Sequence, residues 1–382
     1  MIKPLIATLS FITCAALSVS AQVMNVSKSI HVGDGYFNHL DVSASIGSPG
    51  IGIDLSTPIG EYVNLRLGMT YMPQVEVSSS FRVQVGDSLE HKYDIHGNRV
   101  ETKFDRLSYL LKSFVGYDVD DEVDMMIKPT YYNARLLVDF LPFRDKRWHL
   151  TAGFYVGPSE IGRAKNSTED MPSLMAVNLY NMMYDRLMAD KPLFSFGDQS
   201  FDVPPEFRIK ESFMYYGRMG VHVGDHLKDG PILYIKDAKP EDYEEDGTPI
   251  YSWDDDGNPI HEPVILDANG NPKLAYYKGD PYMMVPGEED GMVRVVSKVN
   301  RKFKPYVGFG YGGTISKDGR TELSFDAGVL FWGGKPHVYT HEGIDLVYDV
   351  ENIKGKVGNY VSLIKKFPVF PVLELRVTRR IF

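Results

Sequence analysis

Val63-Asn64-Leu65-Arg66-Leu67-Gly68-Met69-Thr70-Tyr71 decides how this chain is to be read. Every second residue is apolar: Val63, Leu65, Leu67, Met69 and Tyr71. Between them stand Asn64, Arg66, Gly68 and Thr70, polar or small. Successive side chains of a strand point to opposite faces, so the stretch describes a strand with one apolar and one polar face. The pattern recurs upstream at Leu40, Val42, Ala44 and Ile46, and again at Ile51, Ile53 and Leu55. It recurs downstream at Ala134, Leu136, Val138 and Phe140, and at Trp148, Leu150, Ala152, Phe154 and Val156. Near the C-terminus it returns at Val307, Phe309 and Tyr311, at Leu323 to Phe331, and at Leu373, Leu375 and Val377.

Two architectures produce such strands. A soluble β-sandwich turns the apolar face to a core and the polar face to water. A transmembrane β-barrel turns the apolar face to lipid and the polar face to its lumen. Three features favour the barrel. The strands run about 9–14 residues, enough to cross a bilayer at a tilt. Aromatics gather near strand ends, at Tyr36-Phe37, Tyr62, Tyr71, Tyr131-Tyr132, Phe140, Phe143, Trp148, Phe331-Trp332 and Phe382, as interfacial girdles require. The polar faces also carry both signs of charge: Arg66, Arg135 and Arg376 against Asp41, Asp54, Asp139, Asp326 and Glu374.

Several of these blocks resemble a family of small outer-membrane β-barrels that is widespread in Gram-negative bacteria and mostly uncharacterised. The resemblance is carried by Phe37–Pro73, Asp139–Phe143, His149–Gly157, Lys304–Gly312, Leu323–Gly334 and the ending Pro371–Leu375. It implies a porin-like outer-membrane protein at the cell surface, and assigns no chemistry. The terminus departs from the pattern: Arg379 and Arg380 interrupt the last strand, so a bulge or frayed end is expected there.

The expected fold class is therefore all-β, an antiparallel transmembrane barrel. A closed barrel with both termini in the periplasm needs an even strand number, short periplasmic turns and longer outer loops. Eight strands satisfy this: 37–47, 50–58, 61–72, 128–141, 147–157, 302–314, 320–332 and 371–382. The alternation at Val75–Val85 leaves ten to twelve as the larger counts. Residues 22–382 then form the barrel, with extracellular insertions at 73–127, 158–301 and 333–370. An eight-stranded interior is just filled by side chains. Asp54, Arg66, Arg135, Asp139, Asp326, Glu374 and Arg376 are therefore expected to pair in a lumen network, because an unpaired buried charge costs several kcal/mol.

The N-terminus supports export. A basic start at Lys3, an apolar run from Pro4 to Leu17, and Val19-Ser20-Ala21 before Gln22 read as a signal peptide over 1–21. The apolar run has about 14 residues, short of the ~20 that span a bilayer as a helix. Cys14 is the only cysteine, which excludes a disulfide scaffold. With 43% hydrophobic and 12% aromatic residues the chain is not a disordered one. The net charge of −10 argues against a nucleic-acid partner.

The acidity sits in one place. Residues 241–290 hold 14 Asp/Glu and 2 Lys, so the rest of the chain is close to neutral. The turn signals Asp246-Gly247, Asp256-Gly257 and Asn269-Gly270 punctuate this segment, which reads as an exposed β-meander. Asp254-Asp255-Asp256-Gly257 resembles the start of a calcium loop, but the twelfth position counted from Ser252 is Pro263, so it reads as a solvated turn. Helices are expected at Met171–Met188, capped by Asp170, and more weakly at Ile344–Phe367. The histidines His149, His222, His226, His337 and His341 have neither nucleophile nor third ligand placed beside them. No catalytic residue, metal or cofactor is assigned, and an enzyme is not expected. The expected partners are outer-membrane lipid, the barrel-assembly machinery, and an extracellular partner reached through 158–301. The expected role is structural or in surface interaction; the alternative is a narrow porin-like channel for small solutes.

Overall fold

The structure, a computed structural model, describes residues 37–381 apart from 87–89, 145, 197–198, 202–208, 236–238, 254–257, 266–270 and 354. The expected leader 1–21 and the acidic turn at 254–257 lie outside the described residues.

Eight strands form a closed antiparallel barrel: β1 (Asp41–Gly47), β2 (Gly50–Gly60), β3 (Val63–Tyr71), β4 (Tyr132–Phe140), β5 (Trp148–Val156), β6 (Phe303–Thr314), β7 (Thr321–Leu330) and β8 (Phe370–Arg380). Neighbours follow chain order, and β8 closes on β1 through pairs such as Ser45 with Arg376. Cross-strand register keeps like with like. Leu67 stands opposite Leu55 and Leu136, and Asn64 opposite Asp139. Ring closure leaves no free edge in the barrel, which removes the usual route to edge-to-edge association.

The stretch Val75–Val85 does not widen the barrel to ten strands. Val77–Val85 joins a second, eight-stranded sheet. Nor is 128–141 one strand: Glu122–Pro129 belongs to that second sheet, and β4 starts only at Tyr132. The second sheet is a continuation of the barrel wall. Its order Val77–Val85, Glu122–Pro129, Glu160–Asn166, Arg294–Lys298, His337–Thr340 repeats the order β3 to β7 from which those segments emerge. Prolines stand at most of the joints: Pro73, Pro129, Pro158 and Pro336. Proline lacks the N–H that a ladder needs and so interrupts the regular pairing there, while bonds such as Thr130 N to Ile161 O (3.1 Å) and Gly157 N to Lys302 O (3.1 Å) still tie neighbouring joints together.

The segments expected to be extracellular loops at 73–127, 158–301 and 333–370 are therefore a folded cap with its own core. Val83, Val123, Met125, Val221 and Met284 from the sheet pack with helix residues in one buried cluster. The helices are α1 (Lys103–Val115), α2 (Met171–Met188), α3 (Ile209–Tyr216) and α4 (Gly355–Lys366). α1 begins in a capping box, in which the Thr102 side chain accepts from Asp105 N and the Asp105 carboxylate accepts from Thr102 N. It ends at Gly116, whose φ of 81° permits the left-handed turn. α2 has the expected bounds, but Asp170 makes no side-chain cap bond. Its carboxylate instead accepts from Asp124 N (2.7 Å) and the Ser167 hydroxyl (2.7 Å), tying the helix start to the sheet. The helix expected over Ile344–Phe367 is confined to α4, which starts at Gly355.

The acidic meander also has other limits than expected. Two small hairpins, Asp242–Tyr243 with Pro249–Ile250 and Ser252–Trp253 with Pro259–Ile260, lie in a ribbon that closes on itself at its base. There Gly230 N donates to Tyr276 O (2.9 Å) and Ala275 N to Pro231 O (2.9 Å). Pro281–Met284, by contrast, is a strand of the cap sheet paired with Met219–His226. Replacing 231–275 by a short Gly/Ser linker is therefore expected to leave barrel and cap folded, since loop length costs little. Replacing 241–290 removes a core strand and should expose the cap to protease. Limited proteolysis of the two deletions checks this; equal resistance would contradict it.

Candidate functional site: the charged barrel interior

The barrel is inverted relative to a water-soluble protein. Its inward register carries the polar residues, and its outward register the large apolar ones. Ile53 is 62% exposed, Leu67 57%, Met69 66% and Leu150 54%. The seven residues expected to form the lumen network all point inward, each at most 3% exposed.

Arg135 is the hub. Its Nε and Nη2 donate to the two carboxylate oxygens of Asp54, both at 2.6 Å. Its Nη1 and Nη2 donate to Glu374 at 2.8 and 2.9 Å, across the full width of the barrel from β4 to β8. Further bonds reach the Tyr155 hydroxyl (3.1 Å) and Ser45 Oγ (3.0 Å). Bidentate charge-assisted bonds of this kind fix both partners. Nearer the end with short turns, Arg66 Nη2 donates to Asp139 Oδ1 (3.0 Å), which also accepts from Thr151 Oγ1 (2.6 Å). Arg376 Nε and Nη2 both donate to Asp326 (3.3 Å each), and His149 Nε2 lies 2.6 Å from Asp326 Oδ1. Every expected charge thus has an opposite partner.

The fit depends on missing side chains. A Cβ on Gly68 would run into the Asp54 carboxylate, and one on Gly310 into the His149 ring. Glycine at these two inward positions makes room for the bulk of the facing charged groups.

Towards the cap the interior turns apolar. Tyr131, Leu137, Tyr155, Tyr306, Leu330 and Val372 form a second buried cluster, with the Tyr155 and Tyr306 rings 5.5 Å apart. Lys304 Nζ sits among them, donating to Asn133 Oδ1 (3.0 Å) and Pro158 O (3.2 Å). Charged pairs below and an aromatic layer above fill the interior, as expected where eight strands leave room for side chains alone.

No family model matches the chain, and no curated protein matches it. Solved structures do align with it. CarO2 of Acinetobacter baumannii is 12% identical over 90% of this chain and 98% of that one, with a TM-score of 0.32. CarO of the same organism is 11% identical over 91% and 99%, with a TM-score of 0.33. A major outer membrane protein from Thermus thermophilus is 12% identical over 90% and 98%, with a TM-score of 0.21. Likeness this slight carries no argument, and the barrel rests on its own strand pairing.

The C-terminal strand corrects one expectation. β8 runs to Arg380 with no bulge, and both flanking registers stay regular. Arg379 faces outward at the short-turn end, where it donates to Thr321 Oγ1 (2.7 Å). Arg380 faces inward, its Nε 3.8 Å from Asp41. His337 and His341 do not converge: the first meets Asp345 (2.5 Å), the second the Val285 carbonyl (2.8 Å). Among the described residues no cluster of three or more His, Cys, Asp or Glu is placed to hold a metal, and no helix is long and apolar enough to cross a membrane. Sequence reading missed Lys304, Tyr155 and Tyr306 as interior groups. Their inward register was the available signal.

Proposed function

We propose that this chain is an outer-membrane β-barrel whose wall crosses the bilayer and holds the folded cap at the cell surface, in a structural or surface-interaction role. One observation carries the reading. A closed ring of strands exposes a continuous apolar belt while burying paired charges. In water such a belt is unfavourable by about 25 cal/mol per Å² of apolar surface; in lipid it is the expected outer wall.

The filled interior supports an anchor over a channel. Steady current would require Arg135 to release Asp54 or Glu374, leaving buried charges uncompensated. In planar bilayers the full chain is expected to give no steady conductance, and Arg135→Ala to create none with defined selectivity. A stable open level in the wild-type protein, with ion selectivity altered by Arg135→Ala, would establish the channel reading instead.

A further inference from the structure

The joints between β6, β7, β8 and the cap carry an unusual charge. Lys298–Tyr306, Phe331–Val338 and Ile364–Phe370 contain no Asp or Glu. Besides Lys298, whose Nζ lies 5.9 Å over the Tyr339 ring, and the buried Lys304, they contain Arg301, Lys302, Lys335, Lys365 and Lys366, all exposed or half-exposed. Among the described residues none of these five side chains lies in an ion pair. The basic groups at the β3 to β5 joints behave differently: Lys128 pairs with Glu76, and Arg163 Nη2 lies 2.7 Å from Glu160. The unpaired bases therefore form a one-sided arc over three adjacent strands.

The arc is also built at one level. Arg301 N donates to Trp332 O (3.2 Å) and Asn300 Nδ2 to Gly333 O (2.8 Å), so the β6 and β7 joints are held together. Lys365 and Lys366 close α4, four residues before β8 begins. Exposed Phe303, Phe331 and Phe367 accompany them, and the apolar belt lies directly beneath, with Val307 and Leu373 facing outward. Aromatic girdles flank the apolar band of such a barrel at each interface, which puts the five cations at the edge of the bilayer, where lipid phosphates lie.

We propose that this arc binds the phosphate groups of anionic lipid headgroups in the cap-side leaflet. The inference rests on the membrane reading above. It assigns the occupant by charge and height. Five cations that lie in no ion pair among the described residues stand beside a belt that only lipid covers, and phosphorylated headgroups supply the anion there. Basic residues near an anionic surface gain from each such contact. The one-sided arrangement makes it a site for a few bound lipids in place of a uniform ring.

The test uses the full chain in neutral detergent micelles, with diphosphorylated lipid A and its dephosphorylated form as probes. The wild type is expected to bind the phosphorylated probe about tenfold more tightly or better, with affinity falling as salt rises. A variant with Arg301, Lys302, Lys335, Lys365 and Lys366 all changed to Gln is expected to lose that preference. Lys112→Gln with Lys317→Gln, at exposed sites elsewhere, should keep it. Arg301→Lys, which retains the charge, should also keep it, and insertion of the five-fold variant into vesicles to the wild-type extent shows that its loss is not misfolding. Equal wild-type binding of the two probes overturns the inference, whatever the variants do. So does full competition by inorganic phosphate, which would assign a free-anion site. Insertion into vesicles is scored separately: a chain that fails to insert defeats the membrane reading, whereas one that inserts without phosphate preference defeats only this inference.

Discussion

Replacing Arg135 by Met is expected to cost about 3–5 kcal/mol of barrel stability, the loss typical of breaking a buried ion pair from one side. The substitution keeps an unbranched apolar stem and drops the guanidinium. It removes the cation that, among the described residues, bonds both Asp54 and Glu374, and leaves the two carboxylates buried without it. Three strands lose a shared anchor at once, since Asp54 lies on β2, Glu374 on β8 and Arg135 on β4. Combining Arg135→Met with Asp54→Asn and Glu374→Gln should recover most of the loss, because no net charge then remains stranded. Urea titration in lipid vesicles measures both variants. A single variant within about 1 kcal/mol of wild type would mean that the pairing is ornamental and the interior solvated.

Leu136→Arg is expected to destabilise the inserted protein by about 2–4 kcal/mol, the cost of a cation near the midplane on a lipid-facing wall. Leu136 lies mid-strand on β4, opposite Leu67 and Phe154, on the outward register. Phe325→Arg on β7 should behave alike. The sign is diagnostic of environment. On a surface facing water, Arg at these positions would relieve exposed apolar area and be neutral or favourable. Paired titrations of the two variants in vesicles therefore test the medium around the barrel as well as its fold.

The barrel was readable because its information is local. A period of two persists over each strand, and every inward position follows once one face is chosen. Hence Asp54, Arg66, Arg135, Asp139, Asp326, Glu374 and Arg376 could be placed together without knowing a single contact. Which acid meets which base was not readable, since β4 and β8 face each other only after closure. The cap was hidden for a related reason. Its core gathers Val83, Leu107, Leu174, Val221 and Val361 from segments far apart in sequence, each too short to announce a core alone. Val77–Val85 alternates as a barrel strand would, and only its partners, Glu122–Pro129 and Met219–His226, assign it to the cap. α1 was overlooked because Lys103, Asp105, Arg106 and Lys112 dilute its apolar face, although the spacing of Thr102 and Asp105 and the following Gly116 mark its two ends.

The central claim is that the apolar belt lies in lipid while the cap stands clear of it. Cysteine labelling on intact cells tests this most directly, because the chain's single cysteine, Cys14, lies in the expected leader. Met69→Cys on the belt and Tyr109→Cys on the cap sit at positions 66% and 78% exposed in the isolated fold. A membrane-impermeant maleimide should modify Tyr109→Cys on whole cells and leave Met69→Cys unmodified until the protein is denatured out of the membrane. Equal labelling of the two on intact cells would place the belt in water and contradict the account.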